Sequence, residues 1–408
     1  MTSHHIDLAQ RRRFLRAAAW SAGAIAVGPG SWIVAPQWAN AADGSLRLGI
    51  ATDLTGGLGA LGHPNANAAR LAVQQINDAG GLLGRPVELL IEDTATNEAT
   101  GVNVARKLVQ RDKVDVVIGG LTSSMRNAVK DTITSRGRTV YMFPQMYEGQ
   151  ECTRNLFCTG PTPAQQCDVF VPWLIKQGAR RFALPGSDYV WPRTLGAYVR
   201  KSIEKNGGEV VYEQYFPLDQ VEFGAAASKI GKERVDTVFN MVIPPGVGPF
   251  FKQLYDAGFQ REGGRLACVY YDENAFNFSQ PQEIEGLASS LDYFQAVGAQ
   301  DPESARIQAA YDRMFPGSQY RFTAGNGSAG TYRAIMLWAA AVREAKTGDR
   351  EAVAHALDHA RIAAGPGGPA EMVAGKRHAR MNMYIAVAKD GKFQVAQKSP
   401  GLVDPHEC

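Results

Sequence analysis

Apolar residues fall into short runs along this chain, and between the runs they recur at helical spacing. Leu46 to Asp53 is a run of strand length. Over Pro64 to Ala79, Ala68, Leu71, Ala72 and Ile76 share one helical face, and the pattern stops at Gly80-Gly81. Val87 to Asp93 predicts a second strand, Asn97 to Gln110 a helix and Val114 to Ile118 a third strand. Ser123 to Ser135 and Thr139 to Phe143 add another helix and strand. Short buried strands alternating with helices imply a parallel sheet covered on both faces.

The rhythm restarts after Gly160-Pro161-Thr162-Pro163. Helices are predicted over Ala164 to Lys176, Arg193 to Lys205, Val221 to Lys232 and Gly246 to Ala257. Strands are predicted over Arg181 to Pro185, Glu209 to Tyr215, Thr237 to Met241 and Leu266 to Tyr271. The stretch from Pro302 to Ala360 is helix-rich, and Asp390-Gly391 marks a hairpin. The fold class is therefore α/β: two doubly wound, parallel-sheet lobes in series, with a Pro/Gly-rich joint.

Charge changes the picture only at the start of the chain. The formal net charge of +3 rests on Arg11, Arg12, Arg13 and Arg16, which only Asp7 opposes within residues 1–41. The remainder balances to zero, a poor electrostatic trap for nucleic acid. After the arginines come an apolar run from Ala17 to Ala35 and a small-x-small exit, Ala39-Asn40-Ala41. These are the parts of a cleaved signal peptide. The paired arginines before Phe14-Leu15 resemble a twin-arginine export signal, so the expected compartment is the periplasm. Gly28-Pro29-Gly30 and Pro36 break the run too early for a membrane anchor. Export allows disulfides. Cys152 and Cys158 are close enough in sequence to close a small loop, and an odd count of 5 leaves at least one thiol free. Cys167 and Cys268 read equally well as core residues.

Two motifs suggest chemistry. Gly57-Leu58-Gly59-Ala60-Leu61-Gly62 matches the dinucleotide fingerprint, with Glu92 and Asp93 ending the next strand. Thr52-Asp53-Leu54-Thr55 intervenes, however, so the glycines come too late to aim a helix at a pyrophosphate. A second match, Gly325 to Gly330, follows no strand. His355 and His359, beside Asp358, share a helical face but lack a third ligand and read as a solvated surface. No P-loop or G-x-S-x-G is present. No cofactor and no metal is expected.

Polar and aromatic residues gather instead at the strand ends, where open α/β sheets bind ligands. Leu121-Thr122-Ser123-Ser124 follows the third strand, and Pro144-Gln145-Met146-Tyr147-Glu148-Gly149 the fourth. In the second half, Gly186 to Arg193 and Asp272-Glu273-Asn274 occupy equivalent places. Phe143, Tyr147, Tyr189 and Trp191 would be aromatic walls, and Asp272 or Glu273 would accept from an amino or amide nitrogen. Such loops converge only if the lobes face each other across a cleft. The set suits a small neutral or zwitterionic ligand.

These segments resemble a known family. Leu54-Thr55-Gly56, Ile76-Asn77-Asp78-Ala79-Gly80-Gly81 and Glu92-Asp93 look like the type I periplasmic binding proteins for branched-chain amino acids and amides. Tyr147 to Cys152, Gly186 to Arg193, Glu213 to Leu218 and Phe250 to Gln253 resemble its urea and short-chain amide branch. The resemblance implies two lobes joined by a multi-strand hinge: residues 42–160 with about 295–365, and residues 161–294 with about 366–408. It implies ligand contacts from Ser123, Phe143, Gln145, Tyr189 and Trp191. Leu121, Phe143 and Met146 stand where the branch carries more polar residues, so the pocket is more apolar than a urea site. The implied function is capture of urea, a small amide or an amino-acid-like ligand by hinge closure, with delivery to the permease and ATPase subunits of an ABC importer. The competing readings are an exported sensor that signals to a regulatory partner and an amidase; the latter needs an activated nucleophile, and Ser123 has no evident base.

Overall fold

The computed structural model describes residues 44–324 and 327–408. The proposed signal segment lies outside them, as does the start of the second glycine motif at Gly325. The first lobe opens with β1 (Leu46–Thr52), α1 (Gly59–Asp78), β2 (Val87–Asp93) and α2 (Glu98–Arg106). It continues with β3 (Val116–Gly119), α3 (Ser123–Asp131), β4 (Val140–Phe143) and β5 (Leu156–Cys158). Helices α2 and α3 each end in a π-helical turn, Lys107–Arg111 and Thr132–Arg136.

The chain then crosses to the second lobe, through α4 (Pro163–Lys176), β6 (Arg181–Ser187), α5 (Val190–Lys205) and β7 (Glu209–Phe216). There follow α6 (Gly224–Lys232), β8 (Thr237–Asn240), α7 (Val247–Asp256), β9 (Arg265–Cys268) and β10 (Ala288–Leu291). It returns for α8 (Pro302–Met314), α9 (Ala329–Ala345), α10 (Arg350–Leu357), β11 (Arg361–Ile362), β12 (Ala370–Val373) and β13 (His378–Met381). A last crossing leads to β14 (Tyr384–Lys389) and β15 (Lys392–Lys398). As the sequence suggests, Asp390 and Gly391 make the tight turn between these two strands, both with positive φ.

The sheet orders are β11-β12-β13-β5-β4-β3-β1-β2 and β15-β14-β10-β9-β8-β6-β7. Each contains one five-strand parallel order, 2-1-3-4-5, used twice in the chain: β2-β1-β3-β4-β5 and β7-β6-β8-β9-β10. Antiparallel strands β12 and β14 extend the far edges. The sequence reading needs one correction. Residues 370–381 join the first sheet, because His378 pairs with Cys158 and β12 pairs with β13. The return to the second lobe therefore falls at residues 382–383, not near 366. The segment is short and carries Glu371, Lys376, Arg377 and Arg380, so its pairing is set by the neighbouring strand edge rather than by its own apolar pattern.

The crossings run side by side and are tied together. In a capping box, Thr162 N donates to the Gln165 side chain at 2.9 Å, while Gln165 Nε2 reaches the carbonyls of Ala379 and Val403 at 3.0 and 2.9 Å. Arg333 donates to the Thr159 carbonyl at 2.9 Å and to Asp292 at 2.6 Å, both side chains being 1% exposed. One buried cation thus holds two crossings in register.

Candidate functional site

The carboxyl ends of the parallel strands in both lobes meet across one cleft, where α3 and α5 approach within 8 Å between Cα atoms. A cavity of about 250 Å³ lies there. The first lobe contributes Asp53, Leu58, Thr96, Thr122, Ser124 and Met125; the second contributes Tyr189, Leu218, Ile243, Pro244 and Pro245. Most of this wall is apolar. Its polar lining is Asp53, Thr96 and Glu98 with Thr122 and Ser124 at the start of α3, where Thr122 Oγ1 caps the helix by accepting from Met125 N at 3.0 Å.

Of the expected site residues, Tyr189 lines the cavity directly. Trp191 stands behind it, the rings 6.3 Å apart, and packs edge-on against Tyr270 at 5.9 Å. Its indole Nε1 is buried and has no hydrogen-bond partner among the described residues. Burial pushes the Tyr189 phenol above its ordinary pKa, and Glu148, from the opposite lobe, adds to the shift.

Ser123, Phe143, Gln145 and Tyr147 are not on the cavity surface. They belong to a buried polar and aromatic layer under the start of α3. Ser123 Oγ donates to Glu148. Arg126 pairs with Glu148 at 2.7 Å and with Glu151 at 3.1 Å, and Lys130 also reaches Glu151 at 3.1 Å. The Arg126 guanidinium lies 5.1 Å from the Phe143 ring centre and 4.7 Å from that of Tyr147. Breaking one member of such a buried set costs about 3–5 kcal/mol. Tyr147 bonds His378 Nε2, whose Nδ1 donates to the Lys376 carbonyl at 2.6 Å. Burial brings His378 down to about 4, in keeping with a neutral ring that donates on one side and accepts on the other. Gln145 Nε2 donates to Asn65 at 3.1 Å.

Asp272 and Glu273 are also buried. Asp272 accepts from Asn274 N and Ala275 N at 3.0 and 3.1 Å, and Glu273 accepts from Gln295 N at 2.7 Å. Burial raises Asp272 to about 6 and Glu273 to about 8, Asp272 adding to the latter. Neither lines the cavity. Asp272 caps its own turn after β9, whereas Glu273 ties that turn to residue 295, beyond β10.

The rival motifs resolve as architecture. A Cβ on Gly62 would collide with the Asp53 carbonyl, so this glycine lets α1 start against the end of β1. Asp93 accepts from Leu54 N and Ala95 N at 2.8 Å and from Thr55 Oγ1 at 2.6 Å. Burial alone would raise its pKa, but these bonds hold it below the ordinary value. It fixes a loop. His359 pairs with Glu344 at 2.7 Å on the surface, and no metal-holding cluster occurs among the described residues. The disulfide joins Cys152 to Cys408, not to Cys158. Cys158 sits in β5 with its thiol buried and its pKa pushed up to about 12.

Sequence reasoning missed Arg126 and Glu151 as supports, and Leu218, Ile243 and Pro244-Pro245 as cavity wall. The last three follow β8, so the strand-end rule could have found them.

This geometry defines a two-lobed α/β protein with a cavity between the lobes. The chain belongs to the periplasmic binding protein family, whose model matches residues 45–392. Leu/Ile/Val-binding protein homolog 3 of Brucella melitensis biotype 1 is 28% identical over 330 residues, 78% of this chain and 85% of its own. A solute binding protein of an ABC transporter from Rhodopseudomonas palustris BisB5, solved with 3,4-dihydroxy benzoic acid, has TM-score 0.77 at 21% identity. It covers 88% of this chain and 99% of its own. The branched-chain amino acid transporter substrate binding protein of Streptococcus pneumoniae, solved with isoleucine, has TM-score 0.76 at 18% identity, covering 88% of this chain and 100% of its own. At such identities these two structures speak to the fold alone.

Proposed function

We propose that this chain is the exported solute receptor of an ABC importer, and that its ligand is a small amide or an amino acid with an apolar side chain. The observation that carries the reading is the interlobe cavity, built from both lobes, with Thr122 and Ser124 in its polar lining and Leu218, Ile243 and Pro244 on its apolar wall. A ligand touching both walls favours the closed arrangement, because only there are both contacts made. The name of the Brucella relative, a leucine, isoleucine and valine binding protein homolog, agrees with a ligand that has an apolar body. Urea itself fits least, since it would leave that wall uncovered. Ser123, Phe143, Gln145, Tyr189 and Trp191 remain the ligand set that the family pattern implies, and Tyr147 the one that its strand-end position adds, with Tyr189 at the surface and the others as supports behind it. The twin-arginine-like segment supports export to the periplasm.

The test is a thermal-shift panel on the protein lacking residues 1–41. It contains dilute urea, acetamide, isobutyramide, leucine, isoleucine and benzoate. A ligand at about a hundred times its Kd adds about 2.7 kcal/mol. A shift with leucine or isobutyramide is expected. A shift with urea alone or with benzoate alone would overturn the ligand class.

A further inference from the structure

The mouth and the floor of the interlobe cavity differ, and the difference bears on ligand size; this rests on the amide or amino-acid reading above. Leu58 and Met125 of the first lobe and Ile243 and Pro244 of the second are buried and form the floor. Gly57, Thr96 and Glu98 of the first lobe and Leu218 and Pro245 of the second are exposed and stand at the mouth. A Cβ on Gly57 would meet nothing within 4 Å, so the first-lobe side of the mouth is open there. Leu218 is 50% exposed. A lone exposed leucine is ordinary, but this one is held in place. Its loop, between β7 and α6, is tied to α7: Gln253 accepts from Phe223 N at 2.6 Å and donates to the Val221 carbonyl at 2.9 Å. Phe223 packs edge-on against Phe216 and Phe250, with ring centres 5.1 and 5.3 Å apart. A fixed loop thus presents Leu218 at the mouth. Val221, in the same loop, is 45% exposed but does not line the cavity.

We infer that Leu218 is a specificity-determining residue: it selects ligands whose apolar body is long enough to run from the floor of the cavity to its mouth. A short ligand fills the floor and leaves Leu218 in water. A longer one covers it, and the apolar surface removed from water on both partners tightens binding. The open space at Gly57 gives the longer chain room on the first-lobe side. The receptor should therefore rank homologues by chain length, beyond what the polar head group decides.

The test is calorimetry on two homologous series: acetamide, butyramide and hexanamide, and alanine, norvaline and norleucine. In the unmodified protein Kd should fall by about fourfold for each methylene that reaches Leu218. Leu218→Ala should flatten that slope and weaken the longest member of each series by about tenfold. Val221→Ala, in the same loop and similarly exposed but off the cavity, should leave the slope as it is, and so separates contact from disturbance of the loop. Gly57→Leu, which fills the mouth from the other lobe, should penalise the longest members most and serves if Leu218→Ala does not fold. A flat series in the unmodified protein overturns the inference alone. So does a slope that survives Leu218→Ala, or Gly57→Leu in its place, and so does one that Val221→Ala flattens equally. Failure of every probe to bind overturns the amide or amino-acid reading, and the inference with it.

Discussion

Trp191 is 4% exposed, yet its indole N–H has no partner among the described residues, an expensive arrangement unless something else accepts that bond. Trp191→Ala is a poor probe, because emptying this packed site costs about 3–5 kcal/mol. Trp191→Phe retains a ring against Tyr270 and removes only the donor. It should weaken the best ligand of the panel by about three- to tenfold with little change in Tm; calorimetry beside a melting curve checks both, and an unchanged Kd would take the indole out of the site. The place of Tyr189 at the cavity was legible in the sequence because it follows β6, an inner strand whose end meets the cleft, while Trp191 packs one ring behind it. Phe143, Gln145 and Tyr147 follow β4 by the same rule but turn inward. There the hinge passes over them: Thr159 N donates to the Phe143 carbonyl at 2.9 Å and Tyr147 N to the Pro161 carbonyl at 3.4 Å. Position along the chain does not reveal such a cover.

At the scale of elements, the glycine motif shows how packing decides what spacing suggests. Gly57 faces open space, whereas Gly62 lies against the backbone where β1 ends. Gly62→Ala should therefore cost about 3 kcal/mol or more, since backbone and not a flexible side chain must move, while Gly57→Ala should be within about 0.5 kcal/mol. Parallel urea titrations of the two variants check this. Similar midpoints would mean that α1 can shift at little cost. Helices and most strands were readable from period alone, because burial imposes it. The short strands β5 and β10 and the hairpin-like β11 to β13 were not. They are brief, and β12 and β13 carry charged or polar positions, so the sheet edge they join supplies their order.

The whole molecule is closed by a long-range bond. The disulfide Cys152–Cys408 spans a sequence separation of 256 and pins the segment after β15 to the loop carrying Glu148 and Glu151. Gln150 N also donates to Glu407 there, at 2.5 Å. Cys408→Ser should lower stability by about 2–4 kcal/mol and weaken ligand binding, since the Glu148 loop loses its tether. Melting curves and Kd values for the two proteins test it, and equal values would make the bond dispensable. Thiol titration of the denatured, unreduced protein should find Cys158, Cys167 and Cys268 free. Sequence alone determined the alternating α/β plan, the use of that plan twice and the strand ends as the place where a cavity opens, because each follows from local period and handed connection. Tertiary structure alone decided the cysteine partner, the lobe that holds residues 370–381 and which strand-end side chains reach the cavity. Those depend on residues far apart in the chain being brought together, and no local pattern encodes them.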